Sequence, residues 1–299
     1  MRINSGVMVD NMMRNLQDNM KKLDKLNQQL SSGKKFSKPS ENPIGAAESM
    51  ELNSVLSNHD QYIDNIGEAK DWMKSSESAL KNSGKILQRA REQAVYGANG
   101  SLSEGDRKQI ATEIGELKKE LINVANSKLG DRFLFSGQKT NTKAFDDSGD
   151  YQGSVSGLRR EVGPGTEMKI NTNGKEVFED AIEHLDKLES NLRGEDVNGN
   201  ALSDSEFQTR INNRISNLDE DLSINTEKRA QIGAKINRLD LTEAKIEEEK
   251  IQSEELLSKN EDVDIAKTIT DLKMQESVYR ASLASGARVM QPTLVDFLQ

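Results

Sequence analysis

The sequence predicts a mainly α protein: a long antiparallel helical bundle or coiled coil, with both termini at one pole and a small β-rich inserted domain at the other. Three observations predict it. Of 299 residues, 34% are hydrophobic and 4% aromatic while 30% are charged, too little apolar mass for thick cores but enough for narrow seams between long helices. Apolar residues recur at 3-4 spacing along most of the chain. The order of segments is almost palindromic: terminal heptad stretch, long helix, Gly/Asn/Asp/Ser-rich insertion, long helix, terminal heptad stretch.

The first helix is predicted over 7–30. Met13, Met20 and Asn27 fall on one heptad position and Val9, Leu16, Leu23 and Leu30 on the other, which makes one stripe. Asn27 is the polar exception, of the kind that can set register. Gly33 sits where a left-handed C-cap residue belongs, and Pro39 prevents simple continuation. In Asn42-Pro43, Asn can cap and Pro can take the first helical position. Residues 31–43 therefore form a stop followed by a start, a hinge built around Gly33, Pro39 and Pro43.

A second helix is predicted from 44 to about 97 on Leu52, Leu56, Ile63, Ile66, Met73, Leu80 and Leu87, roughly 80 Å at 1.5 Å per residue. Gly97-Ala98-Asn99-Gly100 breaks it, and Ser101-x-x-Glu104 has the pattern of a capping box. A third helix follows on Ile110, Ile114, Leu117, Leu121 and Val124 and should end near Gly130. From 132 to 177 the apolar residues tend to alternate, and Pro164-Gly165 and Asn173-Gly174 are turn signals between short strands. Helix returns over 178–193. Ser203-x-x-Glu206 is a second capping box, opening a pattern that persists to about 258 through Ile211, Ile215, Leu218, Leu222, Ile232, Ile236, Leu239, Ile246 and Leu257. A last amphipathic stretch, 263–291, carries Ile265, Ile269, Leu272, Tyr279, Leu283 and Met290, with Glu276 and Gly286 as exceptions. Pro292 ends it before the apolar tail with Leu294, Phe297 and Leu298.

Net charge is −9, which argues against a nucleic-acid binder. Residues 1–40 carry eight Lys/Arg against three Asp, net +5, leaving −14 for the remainder. There is no cysteine, hence no disulfide or thiolate metal site. No apolar run reaches the roughly 20 residues of a membrane span, so membrane insertion is not expected. The N-terminal stretch has no continuous apolar segment like a signal peptide's. No catalytic, cofactor or metal site is predicted. His59 and His184 have no ligand-like neighbours. Glu247-Glu248-Glu249 fits a solvated helix face. Asp196-x-Asn198-x-Asn200 starts like a calcium loop but has Ala201 and Phe207 where Gly and Glu are needed. The Lys34, Lys35 and Lys38 cluster and the Met-rich start (Met8, Met12, Met13, Met20) suit a solubilising linker and an adaptable helix seam.

Several short motifs, in order along nearly the whole chain, resemble the flagellin superfamily of bacterial axial proteins. LSSG at 30–33 resembles the end of the first flagellin helix. The continuation KKFSKPSENPIGAA at 34–47 is similar to the third hook-associated protein family rather than to flagellin itself. DRFLFSG at 131–137 resembles that family's entry to its β domain, and YQG at 151–153 a turn inside it. EKRAQIGAKINRL at 227–239 resembles the signature of the returning helix, and MQPTLVDFL at 290–298 the family's C-terminus. The resemblance implies a structural, non-enzymatic subunit of the flagellum, lying outside the cell and exported without a cleaved signal peptide. It implies a junction ring of self-associating copies between hook-associated protein 1 and the flagellin filament, and dealings with a flagellar export chaperone and the type III export apparatus. Flagellin itself is the near alternative, and a cytoplasmic coiled-coil scaffold a more distant one.

This layout predicts three regions: 1–40 with 263–299 as a terminal coiled coil, 41–131 with 200–262 as a rod, and 132–199 as the outer insertion. The candidate assembly seam is Val9, Met13, Leu16, Met20, Leu23, Leu30, Ile265, Ile269, Leu272, Tyr279, Leu283, Met290, Leu294, Phe297 and Leu298. Single helices of this length with so narrow a stripe are marginal in water, so the terminal segments are expected to be disordered in the monomer and to order on assembly.

Overall fold

Where a 3-4 stripe runs unbroken by proline, the chain forms helix, and the two longest such runs give the two longest helices. A computed structural model describes residues 2–100, 102–196 and 199–290. In chain order it contains α1 (Arg2–Ser32), α2 (Pro43–Gly97), α3 (Glu104–Ala125), α4 (Asp180–Leu192), α5 (Asp204–Glu261) and α6 (Ile265–Met290). Between α3 and α4 lie four short strands, β1 (Lys128–Leu129), β2 (Arg132–Phe133), β3 (Arg159–Gly163) and β4 (Thr166–Lys169), and a π-helical turn at Lys175–Glu179. The protein is thus mainly helical with a small strand region. It divides into two compact units, one of Met1–Asn58 with Glu248–Gln299 and one of His59–Glu247.

In the His59–Glu247 unit, α2 and α5 run antiparallel. Their polar cross-links keep one register: Lys70 to Asp240 at 2.7 Å and to Glu243 at 2.8 Å, Arg229 to Glu77 at 2.8 Å, Asn225 Nδ2 to Ser83 Oγ at 3.2 Å, and Gln208 Nε2 to the Ala98 carbonyl at 3.1 Å. The hydrogen bonds to Asp240 and Glu243 raise the Lys70 pKa above its ordinary value. Between the helices Ile66, Met73, Leu80 and Leu87, each seven residues from the next, are fully buried, and they share one core with Ile114 and Leu121 of α3, Leu185 and Leu188 of α4, and Ile211, Leu218, Ile232 and Leu239 of α5.

The insertion contains less strand than its alternation suggests. β1 pairs with β2 and β3 with β4, each as an antiparallel two-stranded ladder, the second with an irregularity between Glu161 and Gly163. The rest is held by edge-to-face rings, Phe135 on Phe178 at 4.9 Å and Phe145 on Phe178 at 6.1 Å between centroids. Side-chain bonds to backbone also hold it, such as those that end α3 early. Asn126 accepts from Phe145 N at 3.0 Å and donates to Phe145 O at 2.9 Å. The helix therefore stops at Ala125 and not near Gly130, which instead lies in the β1–β2 turn. Pro164-Gly165 does turn β3 into β4, whereas Asn173-Gly174 leads into the π-helical turn.

The capping boxes fared differently. Ser203 N donates to Glu206 at 3.0 Å and Glu206 N to Ser203 Oγ at 3.4 Å, as expected for the start of α5. The box opening α3 is not Ser101 with Glu104 but Ser103 with Asp106, and Ser101 lies outside the described residues. A partly buried pair joins α4 to α5: His184 Nδ1 lies 2.9 Å from Asp221 Oδ2, and burial pushes the Asp221 carboxyl above the usual carboxylate range. Among the described residues no cluster of His, Cys, Asp and Glu could hold a metal ion, and no helix is long and apolar enough to cross a membrane.

Candidate assembly surface

In the unit formed by Met1–Asn58 and Glu248–Gln299, α1 packs antiparallel on α6. The side chains of α1 that turn inward are Val9, Met12, Leu16, Asn19, Leu23, Leu26 and Leu30, all half-buried, at alternating steps of three and four. From α6 the inward row is Thr268, Leu272, Gln275, Tyr279, Ser282 and Gly286. A coiled-coil seam is usually apolar, but this one has a polar layer at its middle. Asn19 Nδ2 donates to Ser282 Oγ at 3.2 Å, and Gln275 Nε2 donates to Asn19 Oδ1 at 3.1 Å. At Gly286 the helices approach so closely that a Cβ would stand 1.6 Å from Met12 Cε.

The structure brings together part of the residue set read from the sequence. Val9, Leu16, Leu23, Leu30, Leu272 and Tyr279 lie in the α1–α6 seam. Met13 (47% exposed), Met20 (60%), Ile269 (42%), Leu283 (44%) and Ile265 (57%) do not. The Met290 side chain and Leu294, Phe297 and Leu298 lie outside the described residues. The cause is geometric. A row every seven residues can pair with the row four positions on or the row three positions on, and both choices give a 3-4 stripe. Each helix turns its three-step row (Met12, Asn19, Leu26; Thr268, Gln275, Ser282) to the other and leaves the four-step row (Met13, Met20; Ile269, Leu283) facing solvent. The register-setting Asn of the seam is accordingly Asn19, while Asn27 is exposed. Sequence reading missed Met12, Asn19, Leu26, Gln275 and Ser282, and the small residue at Gly286 was the one local sign of a close crossing.

The joint after α1 is tied down. Gly33, at φ +71°, closes the helix with its N–H on the Gln29 carbonyl at 2.9 Å, the left-handed C-cap that glycine favours. Lys34 then forms a β-bridge with Asp262, Lys35 N donates to Glu261 O at 2.5 Å, and Val263 N donates to Gly33 O at 2.9 Å. Lys34 Nζ pairs with the Glu261 carboxylate, and this bond holds the Glu261 carboxyl below the usual range. Lys35 Nζ caps the last carbonyls of α5, those of Lys259 and Asn260, where a cation suits the helix dipole. Asn260 Nδ2 reaches Gly45 O at 2.8 Å and Ser49 Oγ at 2.9 Å. Asn42 caps α2 through Gly45 N at 3.1 Å and Pro43 is its first residue, as the sequence suggested. Glu41 accepts from Ser37 N at 2.9 Å, which lowers its pKa. Pro39 is exposed on the loop between. The two connectors, 33–35 and 261–263, are thus laced to each other.

Comparison with known proteins agrees with this architecture. Residues 3–140 match the family described as the bacterial flagellin N-terminal helical region. Flagellar hook-associated protein 3 of Escherichia coli is 27% identical over 305 residues, covering 94% of this chain and 95% of that protein. Along nearly its whole length the chain is similar to flagellar hook-associated protein 3. The Salmonella typhimurium hook-associated protein 3 is 26% identical, again over 94% and 95% of the two chains. A solved hook-associated protein structure from Vibrio parahaemolyticus matches the fold with a TM-score of 0.63, at 24% identity, over 74% of this chain and all of that one. These relatives are flagellar components.

Proposed function

We propose that this chain forms the junction ring between hook-associated protein 1 and the flagellin filament, and that α1 and α6 are its assembly elements. One observation carries the reading: each terminal helix turns a partly polar row to its partner and leaves an apolar row, Met13 and Met20 or Ile269 and Leu283, facing solvent. Exposed apolar rows on a thin helix pair are satisfied by burial against neighbouring copies.

On this reading residues 1–40 and 263–299 form an inner coiled coil, 41–131 with 200–262 a rod, and 132–199 an outer insertion, with both termini at one pole and the insertion at the other. The terminal helices are disordered in the free monomer and order together on assembly. An unfolded end also suits passage outward through a type III export channel with a chaperone guarding it, which places the working protein outside the cell. The Gly33–Pro43 joint sets the angle between terminal pair and rod. Because its two connectors are laced by Lys34, Lys35 and Glu261, the angle changes for both helices at once.

The test is genetic. A strain lacking its own junction subunit builds hooks and sheds flagellin, and this chain should restore attached filaments. Met13→Asp with Ile269→Asp should abolish the restoration while leaving export into the medium intact. Filaments attached without this chain, or unaffected by the double substitution, would overturn the reading. Pro39→Ala with Pro43→Ala should lower swimming speed in viscous medium, and unchanged swimming would remove the joint from the mechanism.

A further inference from the structure

Beside the joint is a groove of about 320 Å³. Its apolar lining includes Phe36, Ala46 and Met50, its polar lining Ser37, Ser49 and Asn53, and its charged lining Lys34 and Lys38, with Glu261 paired to Lys34. Phe36 is 9% exposed, but Met50 presents 67% of its surface. Lys38 makes no salt bridge among the described residues. The groove therefore offers apolar contact beside two lysines that outweigh the one carboxylate of Glu261.

The same unit carries the opposite shape. Ile251 is 63% exposed on α5. Glu248, Glu254 and Glu255 are its neighbours at spacings of three and four on that helix face, and all three are exposed, Glu255 also pairing with Lys259 at 3.6 Å, so an isoleucine knob stands in a mainly acidic collar. Knob and groove cannot meet within one molecule. Glu261, in the groove wall, lies ten residues further along the same helix, about 15 Å away at 1.5 Å per residue.

We infer that the knob of one copy seats in the groove of the next, Ile251 on Phe36 and Met50, with the glutamate collar facing Lys34 and Lys38. Two different patches on one chain make a head-to-tail contact, and such contacts propagate around a ring. Opposite charges at the rim set register and partner choice. This inference rests on the ring reading above and adds which surfaces meet.

The chain has no cysteine, which gives a clean background for cross-linking. Met50→Cys and Ile251→Cys, singly and together, are produced in the strain lacking its own junction subunit, and isolated flagella are oxidised. The double variant should give a ladder of dimers, trimers and larger multimers of this chain. Each single variant should give about tenfold less cross-linked product, since a head-to-tail contact puts unlike positions together. Lys38→Glu in the double variant should reduce the ladder, and adding Glu254→Lys with Glu255→Lys should restore it. Wild-type filament attachment with no ladder, or cross-links to flagellin or to a hook protein in place of this chain, would overturn the pairing while leaving the junction role standing. Failure of the unmodified chain to restore filaments would instead strike the junction role. The same oxidation of concentrated purified double variant then decides the pairing alone, for or against, by the presence or absence of the ladder.

Discussion

The α2–α5 core and the α1–α6 seam are both built from 3-4 stripes on antiparallel helices, yet they differ in kind. Between α2 and α5, Ile66, Met73, Leu80 and Leu87 are fully buried because α3, α4 and the insertion cover the same stripe. Between α1 and α6, no described α1 side chain is fully buried and a polar layer sits at mid-seam. The same local code therefore yields a self-sufficient core where a third and fourth element are available, and an unfinished one where only two helices meet. An unfinished seam is what a subunit needs if its neighbours are to complete it.

Truncation should separate the two regions most clearly. Leu80→Ala should destabilise the purified chain by about 2–5 kcal/mol, the usual effect of emptying a well-packed site. Leu16→Ala, in a pair that orders only on assembly, should change the stability of the purified chain by less than about 0.5 kcal/mol. Equal losses in denaturant titration would break the comparison. Ser203→Ala should fall between the two at about 1 kcal/mol, through loss of the capping box of α5. Asn19→Leu should strengthen the α1–α6 pair slightly and loosen its register, because a polar layer trades stability for specificity. Added helicity in the purified chain together with poorer filament attachment would sharpen the comparison, and a less helical chain would contradict it.

Acid should move the two regions in opposite directions. Glu261 has a lowered carboxyl, so its contribution to the joint is present above the unfolded value near 4.3 and is lost as pH falls through the folded one. Asp221 has a raised carboxyl, so its contribution is present below the unfolded value near 3.9 and is lost as pH rises through the folded one. NMR titration should show joint amides disturbed on acidification while those around His184 and Asp221 sharpen. Glu261→Gln and Asp221→Asn should each flatten the response of their own region only.

Much of the fold was legible because helix stripes are local and long. The start of α5 at Ser203–Glu206, the break after Gly97 and the cap at Asn42-Pro43 all depend on neighbours within four residues. The seam was half legible. Val9, Leu16, Leu23 and Leu30 recur every seven residues, but Met13 and Met12 complete the stripe equally well, and only the facing helix decides between them. The lacing of the joint left no local trace, since Lys34 and Glu261 lie 227 positions apart. Strand content in the insertion was overestimated because Asn126 and the Phe135–Phe145–Phe178 rings hold by side chains what alternation assigned to ladders.

The central claim is that the α1–α6 pair is completed only by neighbouring copies. Hydrogen exchange on the purified chain and on isolated hook–filament junctions tests it most directly. The account predicts fast exchange over 9–30 and 268–286 in the purified chain against slow exchange in α2 and α5, with both terminal segments strongly protected in the junction. Terminal segments as protected in the free chain as Leu80 and Leu239 are would contradict it.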